Sequence, residues 1–203
     1  QMLWPHCFTG NCMTRWGTVM EDVCCQDFEQ YYQQDRGLSD MRVEESGLIL
    51  TPEMPWFGTS PDGLVHDSSG GQDRLVALLE IKTPYTLKGM AAPAPDGFYP
   101  FCDVPGADRL DSPNPRQLPV PPYYYCQVQG NMAQLGLHNC FFVVWTPAGM
   151  QITRLKFHPG WWSDTLLPRL HEFYHEHYLP AAVAHARGDL APGCTEPEGA
   201  SSS

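Results

Sequence analysis

Apolar positions recur along the chain in the two spacings that distinguish helices from strands. Residues 15–34 carry a loose apolar stripe at helical spacing, and Gly37 is placed to end that helix. Residues 75–82 are apolar almost throughout, which predicts a central strand that is buried on both faces. Shorter extended segments are predicted at residues 48–50, 56–59 and 64–65.

Helix and strand patterns also alternate in the second half of the chain. Residues 123–137 and 162–178 have the apolar spacing of helices, and the second of these is amphipathic. Residues 140–145 predict a buried strand, and residues 150–157 predict an edge strand. The predicted buried side of the last helix consists of Leu166, Leu167, Leu170, Phe173, Tyr174 and Tyr178. The elements together predict an α/β fold, with a central mixed sheet of four or five strands and flanking helices.

Two segments interrupt the pattern. Residues 93–122 contain nine prolines and no periodicity, so we expect an insertion or a flexible lid there. Residues 188–203 are small and polar, which is typical of a disordered tail. The remainder predicts a single domain over residues 1–187.

Composition narrows the classes of protein to consider. The chain has 203 residues and a net charge of −11, which argues against binding to nucleic acid without specificity. The charge is still compatible with binding in a locally basic groove. Eight cysteines occur without a single C-x-x-C pair, which argues against a zinc finger. No apolar run approaches the roughly 18 residues of a membrane span, so we expect no membrane partner. Without a visible secretory segment, we expect reduced thiols and an intracellular location.

The clearest predicted strand ends in charged residues that need an explanation. Side chains alternate along a strand, so Glu80 and Lys82 share one side while Leu79 and Ile81 face the core. Asp62 lies on a Ser-Pro-Asp-Gly turn that precedes the short extended segment at residues 64–65. If that segment pairs with residues 75–82 as a hairpin, Asp62 would lie beside Glu80. Two carboxylates and a strand-end carbonyl are oxygen ligands that suit Mg²⁺ or Mn²⁺. A surface Glu–Lys pair near a turn is the alternative that this pattern leaves open.

Several segments in one order carry a family resemblance. They read MTRWGTVME at residues 13–21, FGTSPDGL at 57–64, LEIKTPY at 79–85, YYYCQVQGNM at 123–132 and FVVWTP at 142–147, followed by Phe173-Tyr174 and Leu179-Pro180. From Met13 to Pro180 the chain resembles the YqaJ-like viral recombinase family, which is of the lambda exonuclease type within the PD-(D/E)xK nucleases. The resemblance implies a restriction-endonuclease-like core.

The resemblance also implies an activity. It suggests a deoxyribonuclease dependent on Mg²⁺ or Mn²⁺, most simply a 5′-to-3′ exonuclease on the ends of double-stranded DNA, in recombination or in processing viral or mobile-element DNA. It implies metal ligands at Glu21, Asp62, Glu80 and the Ile81 carbonyl. Lys82 would position the attacking water, and Gln127 would support the metal–water cluster or the substrate.

Some of these roles compete with simpler ones. Glu21 and Arg15 could each be ordinary surface residues, although Arg15 is also placed to touch a DNA phosphate. Gln127 and Gln129 lie two positions apart and face different sides of a helix, so we expect Gln127 to serve the site and Gln129 to be exposed. The tyrosines at 123–125 are expected to contribute to packing rather than to base stacking.

The resemblance leaves partners and boundaries open. Relatives suggest a homo-oligomer or a single-strand-annealing partner, and a nuclear location if the host is eukaryotic or viral, otherwise a cytoplasmic one. The family's N-terminal segment of serine and basic residues, which grips the DNA end, is not found. We therefore expect part of the domain to precede Gln1.

Two other functions must be weighed. His171-Glu172-Phe173-Tyr174-His175 matches the HExxH signature of zinc peptidases, in which two histidines four apart bind zinc and the glutamate acts as base. The extended form of that signature fails, because Tyr178 replaces its glycine and Ala181 its third histidine. The remaining alternative is a catalytically weak module that binds DNA ends.

Overall fold

A mixed β-sheet with a helix on each face forms the framework of the domain. The structure, a computed structural model, describes residues 11–35, 37–85, 88–89, 102–103 and 120–189. The strands are β1 (Met41–Glu44), β2 (Gly63–Asp67), β3 (Arg74–Lys82), β4 (Cys102–Asp103), β5 (Asn139–Thr146) and β6 (Gly149–Lys156). Their order across the sheet is β1-β2-β3-β5-β6-β4, so β3 is a central strand, as its sequence predicts.

The connections follow from the direction of each strand pair. β2 and β3 form an antiparallel hairpin, whereas β3 and β5 run parallel and therefore need a crossover. Helix α2 (Pro122–Leu135) is the helix of that crossover, and it ends at Gly136, whose positive φ of 65° suits glycine. β5 returns through an antiparallel pairing with β6.

Helix α1 (Cys12–Gln30) covers one face of the sheet. It begins at a capping box, in which the Asn11 side chain accepts hydrogen bonds from the backbone N–H groups of Met13 and Thr14. A single π-helical turn (Tyr31–Asp35) extends it. Its buried residues join a core that includes Leu79 and Ile81 of β3.

Helix α2 covers the opposite face. Tyr125, Val128 and Met132 lie on its buried side, at helical spacing. They pack in a second core that includes Leu78 of β3 and Phe142 of β5. Because both faces are covered, the alternating side chains of β3 enter two different cores.

A helical run over residues 159–186 follows β6. It is built from α3 (Pro159–Trp161), a π turn (Trp162–Leu166), α4 (Leu167–Glu172), a second π turn (Phe173–Tyr178) and α5 (Leu179–Ala186). Trp162 and Leu166 are its buried residues. The prediction of a longer buried side is wrong at Phe173, which is 51 % exposed, because the π turns rotate later residues away from a single apolar stripe.

Three strand predictions differ from the structure. β1 carries two charged residues among its four and was not predicted. Residues 48–50 and 56–59 form only the isolated bridge between Ile49 and Thr59. Leu48 and Leu50 are 72 % and 58 % exposed, and Trp56 packs against Tyr174 of the helical run instead of entering the sheet. In these two segments, apolar character therefore does not indicate a strand of the sheet.

Other expectations also changed. The sheet has six strands in the described residues, and β6 is not an edge strand because the two residues of β4 pair with it. β4 falls inside residues 93–122, which were predicted to be an insertion or a lid, so this segment contributes to the sheet. The other residues of this segment before Val120 lie outside the described part of the chain, as do residues 190–203 of the predicted tail. No helix in the described part of the chain has the length and apolarity needed to span a membrane.

Candidate active site

The β2–β3 hairpin places Asp62 at the end of β3, as predicted. Gly63 pairs with Leu79, so the preceding residue reaches the end of the neighbouring strand. One carboxylate oxygen of Asp62 accepts a hydrogen bond of 2.5 Å from the backbone N–H of Ile81. A Cβ at Gly63 would lie 2.6 Å from the Val43 side chain, so glycine lets β1 pack closely behind this turn.

Glu80 is a carboxylate almost completely removed from solvent, with 1 % of its surface exposed. Its Oε1 accepts a 2.7 Å hydrogen bond from Gln127 and contacts the ammonium of Lys82. Its Oε2 accepts a weaker bond of 3.3 Å from the Asn131 side-chain amide. A buried charge needs partners of this kind, and here three donors from two elements supply them.

Lys82 lies on the same side of β3 as Glu80, as strand alternation predicts. Its Nζ also lies 5.0 Å from the ring centroid of Tyr124 on α2. Burial alone would lower the pKa of Lys82, but Glu80 and then Asp62 raise it above its ordinary value. The ammonium therefore stays charged beside the carboxylates.

Gln127 and Asn131 reach Glu80 from α2 because residues four apart share one face of a helix. The Asn131 carbonyl oxygen accepts a bond of 2.5 Å from the Thr59 hydroxyl, which ties α2 to the chain just before Asp62. Sequence reasoning missed Asn131 and Thr59. The spacing from Gln127 to Asn131 was the available signal.

Gln129 differs from its prediction. It is fully buried rather than exposed. Its side-chain amide donates to the Lys156 carbonyl and its side-chain oxygen accepts from the His158 backbone N–H, each at 2.8 Å. Gln129 therefore fastens α2 to the chain that leaves β6, on the side away from Glu80.

Glu21 approaches the same region from α1. It lines an acidic cleft of about 430 Å³ that opens beside Asp62. The other carboxylates of this cleft are Asp22, Glu29 and Glu45. Glu21 is thus not an isolated surface residue, since it shares a cavity with a predicted metal ligand.

Burial disfavours the ionised form of the three carboxyl groups of the site. Burial, and then the Asp62 charge, raise the pKa of Glu80 from 4.5 to about 7, against the opposing effects of Lys82 and Gln127. Burial also raises the pKa of Asp62, and burial followed by the Asp62 charge raises the pKa of Glu21. The Lys82 ammonium therefore does not offset the cost of burying these carboxylates.

This donor set fits a hard divalent cation. Mg²⁺ keeps several waters and is held through one or two carboxylates, so Asp62 and Glu80 with a backbone carbonyl are sufficient protein ligands. Within the described residues, no three His, Cys, Asp or Glu side chains are arranged to hold a metal together. Metal binding by Asp62, Glu80, Glu21 and the Ile81 carbonyl stays a prediction.

The family comparison decides how this arrangement is classified. The family model for the YqaJ-like viral recombinase domain matches residues 2–138, which is more than half of the chain. The chain belongs to this family. The matched range contains Glu21, Asp62, Glu80, Lys82 and Gln127.

Solved structures show the same fold as this YqaJ-like domain. The crystal structure of an alkaline exonuclease, LHK-Exo, from Laribacter hongkongensis superposes with a TM-score of 0.55 at 23 % identity, covering 90 % of this chain and 77 % of that one. A structure of LHK-Exo in complex with dAMP gives a TM-score of 0.56 at 23 % identity, with 91 % and 78 % covered. No match was found among curated proteins.

Two remaining predictions lie away from the YqaJ-like site. Arg15 is exposed and lines a neighbouring groove, not the acidic cleft. His171 and His175 stack with ring centroids 4.1 Å apart and pack against Trp56. No third ligand joins them in the described part of the chain, and the zinc-peptidase alternative gains no support from these contacts.

Proposed function

We propose that the protein is a divalent-metal-dependent deoxyribonuclease that hydrolyses phosphodiester bonds at the ends of double-stranded DNA. We further propose 5′-to-3′ polarity and a role in recombination or in the processing of viral or mobile-element DNA. Family membership, the fold shared with an alkaline exonuclease and the acidic site support this assignment. The neighbour complex with dAMP, a DNA mononucleotide, supports DNA as the substrate class.

The observation that carries the proposal is the meeting of Asp62, Glu80 and Lys82 at the end of one hairpin. Asp62 is fixed by the Ile81 N–H, and Glu80 is fixed by Lys82 and by two amides of α2. A charged lysine here can orient a water by donating one hydrogen bond to its oxygen while it stays paired with Glu80. These contacts hold the reacting groups in place before substrate arrives.

Asp62 and Glu80 would hold the metal, with the Ile81 carbonyl and Glu21 as further oxygen donors. When bound, the cation supplies positive charge that activates water and stabilises the charge developing on the phosphate oxygens. Gln127 and Asn131 fix the Glu80 carboxylate through its two oxygens, which limits its rotation. The cleft's carboxylates repel DNA phosphate, so the protein needs the cation to bind the scissile bond as well.

A substrate comparison tests the activity. Linear and circular duplex DNA are incubated with the protein in Mg²⁺ or in EDTA, using 5′- and 3′-labelled linear strands to read polarity. We expect loss of linear DNA only with Mg²⁺, and mononucleotide release from the 5′ end. Cleavage of circular DNA at the same rate would contradict end dependence, and release from the 3′ end would contradict the polarity.

Matched variants test the site. Asp62→Asn keeps the shape of the side chain and removes its charge, and we expect at least a 100-fold loss of activity. Asp67→Asn is its control, because Asp67 ends β2, the strand that begins just after Asp62, and accepts a local hydrogen bond from the backbone N–H of Ser69. Activity of Asp62→Asn equal to that of Asp67→Asn would contradict the assignment.

Lys82 separates an active nuclease from a weak DNA-end-binding module. We expect Lys82→Ala to lose about 100-fold or more in rate while still binding duplex ends, because the lysine acts on the attacking water. Lys156→Ala, at the exposed end of β6, is the control. If Lys82→Ala processed DNA at the wild-type rate, the mechanism would be wrong and the binding-module alternative would be preferred.

A further inference from the structure

A second groove lies along the N-terminal half of α1, whereas the acidic cleft lies along its C-terminal half, and we name it the α1 groove. Arg15, Trp16, Met20, Tyr85 and Lys88 line it around a volume of about 670 Å³. Two of these residues are cations, and none of the described residues that line the groove is acidic. In a chain with a net charge of −11, this is a local reversal of sign.

Aromatic rings form the wall of the α1 groove. Trp16 and Tyr85 meet edge to face, with centroids 6.4 Å apart and planes at 83°. Both rings are half-buried, and Trp16 also packs against the core beneath α1. The exposed Lys88 ammonium sits over the Tyr85 ring, 3.6 Å from its centroid, and donates a hydrogen bond to the Tyr85 hydroxyl. Cations beside partly exposed aromatic rings are the combination that binds nucleic-acid strands.

The α1 groove reaches the catalytic region directly. Gly17 follows Trp16, and a Cβ at Gly17 would lie 3.9 Å from both the Glu21 carboxylate and the Thr83 hydroxyl. Thr83 follows Lys82, and Tyr85 is two residues further on. A strand lying in the groove would therefore pass from the aromatic pair to the acids across the bare backbone of Gly17.

We propose that the α1 groove binds single-stranded DNA, with a base against Trp16 or Tyr85 and phosphates on Arg15 and Lys88. This inference rests on the proposed function and adds a binding site to it. Duplex DNA keeps its bases stacked inside the helix, so aromatic faces in a groove favour an unpaired strand. An exonuclease that removes one strand leaves its complement unpaired next to the site.

Binding of a labelled oligonucleotide tests the groove without chemistry. Fluorescence anisotropy of a twelve-nucleotide single strand is measured with Asp62→Asn protein in EDTA. In that background we expect Tyr85→Leu to weaken binding about tenfold, since it removes an aromatic face. Tyr85→Phe should bind like the unsubstituted background. Tyr178→Leu, a half-buried tyrosine of the helical run, is the control.

The cations have a separate signature. Arg15→Gln with Lys88→Gln should weaken binding and reduce the slope of log K against log[salt] by about 1.4, because each cation on a single strand accounts for about 0.7. Arg169→Gln with Arg187→Gln, an exposed residue of the helical run and the exposed residue that follows it, should change neither quantity.

The outcomes separate this proposal from the nuclease assignment. Two results would overturn the proposal that the α1 groove binds a single strand: equal binding by Tyr85→Leu and the Tyr178→Leu control, or tighter binding of a blunt duplex than of the single strand. Neither result would contradict cleavage of DNA by the wild-type protein in Mg²⁺. Conversely, groove variants that lose strand binding would support the site even if the wild-type protein failed to cleave DNA.

Discussion

Glu80 makes the metal-free protein sensitive to pH in a direction that can be measured. The folded state raises the pKa of this carboxyl to about 7, whereas the unfolded chain keeps the ordinary value near 4.5. Between these values the folded state binds a proton that the unfolded state has released. The free energy of unfolding must therefore decrease as the pH rises through that window.

The structure sets the size of the effect. A difference of one pKa unit corresponds to about 1.4 kcal/mol, so the window from 4.5 to about 7 gives a loss of up to about 3 kcal/mol. The raised pKa values of Asp62 and Glu21 act in the same direction. Asp67 and Asp73 have lowered pKa values, so the stability that they add falls only as the pH drops below about 4, which lies outside the range of this effect.

Urea unfolding in EDTA at pH 5, 6, 7 and 8, followed by tryptophan fluorescence, measures this dependence. Glu80→Gln should be less sensitive to pH, with a residual slope from Asp62 and Glu21. Because the substitution also leaves the Lys82 ammonium without its carboxylate at every pH, the slope is the quantity to compare. Asp67→Asn should keep the wild-type slope. Wild-type stability that is flat or rises from pH 5 to 7 would refute the reasoning.

Added metal should reverse the loss. A ligand that binds only the folded state at 100 times its Kd stabilises it by about 2.7 kcal/mol. We expect Mg²⁺ to raise the melting temperature of the wild-type protein at pH 8, and to have little effect on Asp62→Asn. Equal stabilisation of both proteins would contradict Asp62 as a ligand.

Three further substitutions test the support around the site. Asn131→Ala removes one of the donors to Glu80, and we expect nuclease activity to fall about tenfold in a rate assay while the fold persists. Gly130→Ala would place a Cβ 2.8 Å from the Phe57 ring, so urea unfolding should show a loss of about 1–2 kcal/mol; an unchanged midpoint would contradict this packing. Gly17→Ala meets only contacts of 3.9 Å and should be neutral or stabilising by up to about 1 kcal/mol in the same assay.

The hairpin and its acids could be predicted because their signals are local. A short loop rich in serine and glycine separates β2 from the long apolar strand β3 and predicts their antiparallel pairing, and this pairing carries Asp62 to the end of β3. Alternation along β3 then fixes the side on which Glu80 and Lys82 lie. These conclusions need neither distant contacts nor knowledge of the helices.

What could not be predicted depends on contacts between distant segments. Thr59 and Asn131 are 72 residues apart, and no local pattern marks their hydrogen bond. Trp56 has the apolar character of a strand residue, yet it lies in a turn and packs on the helical run. The burial of Gln129 depends on the backbone groups of Lys156 and His158, which only the folded arrangement of β6 brings to α2.

The surroundings of Glu80 are difficult to explain as a structural feature. Its neighbour on the same side of β3, Leu78, belongs to an apolar core, and a leucine at position 80 would continue that core without any need for polar partners. The chain instead places a lysine and two amides around one buried carboxylate and sets a second carboxylate close enough to raise its pKa. We expect such an arrangement to weaken the folded protein at neutral pH when no cation is bound, and this expected cost supports the proposed function. The same reasoning identifies the decisive comparison: the double variant Glu80→Leu with Lys82→Met removes the ion pair as a whole, and it should unfold at higher urea concentration than the wild-type protein at pH 8 in EDTA and lose all activity in Mg²⁺.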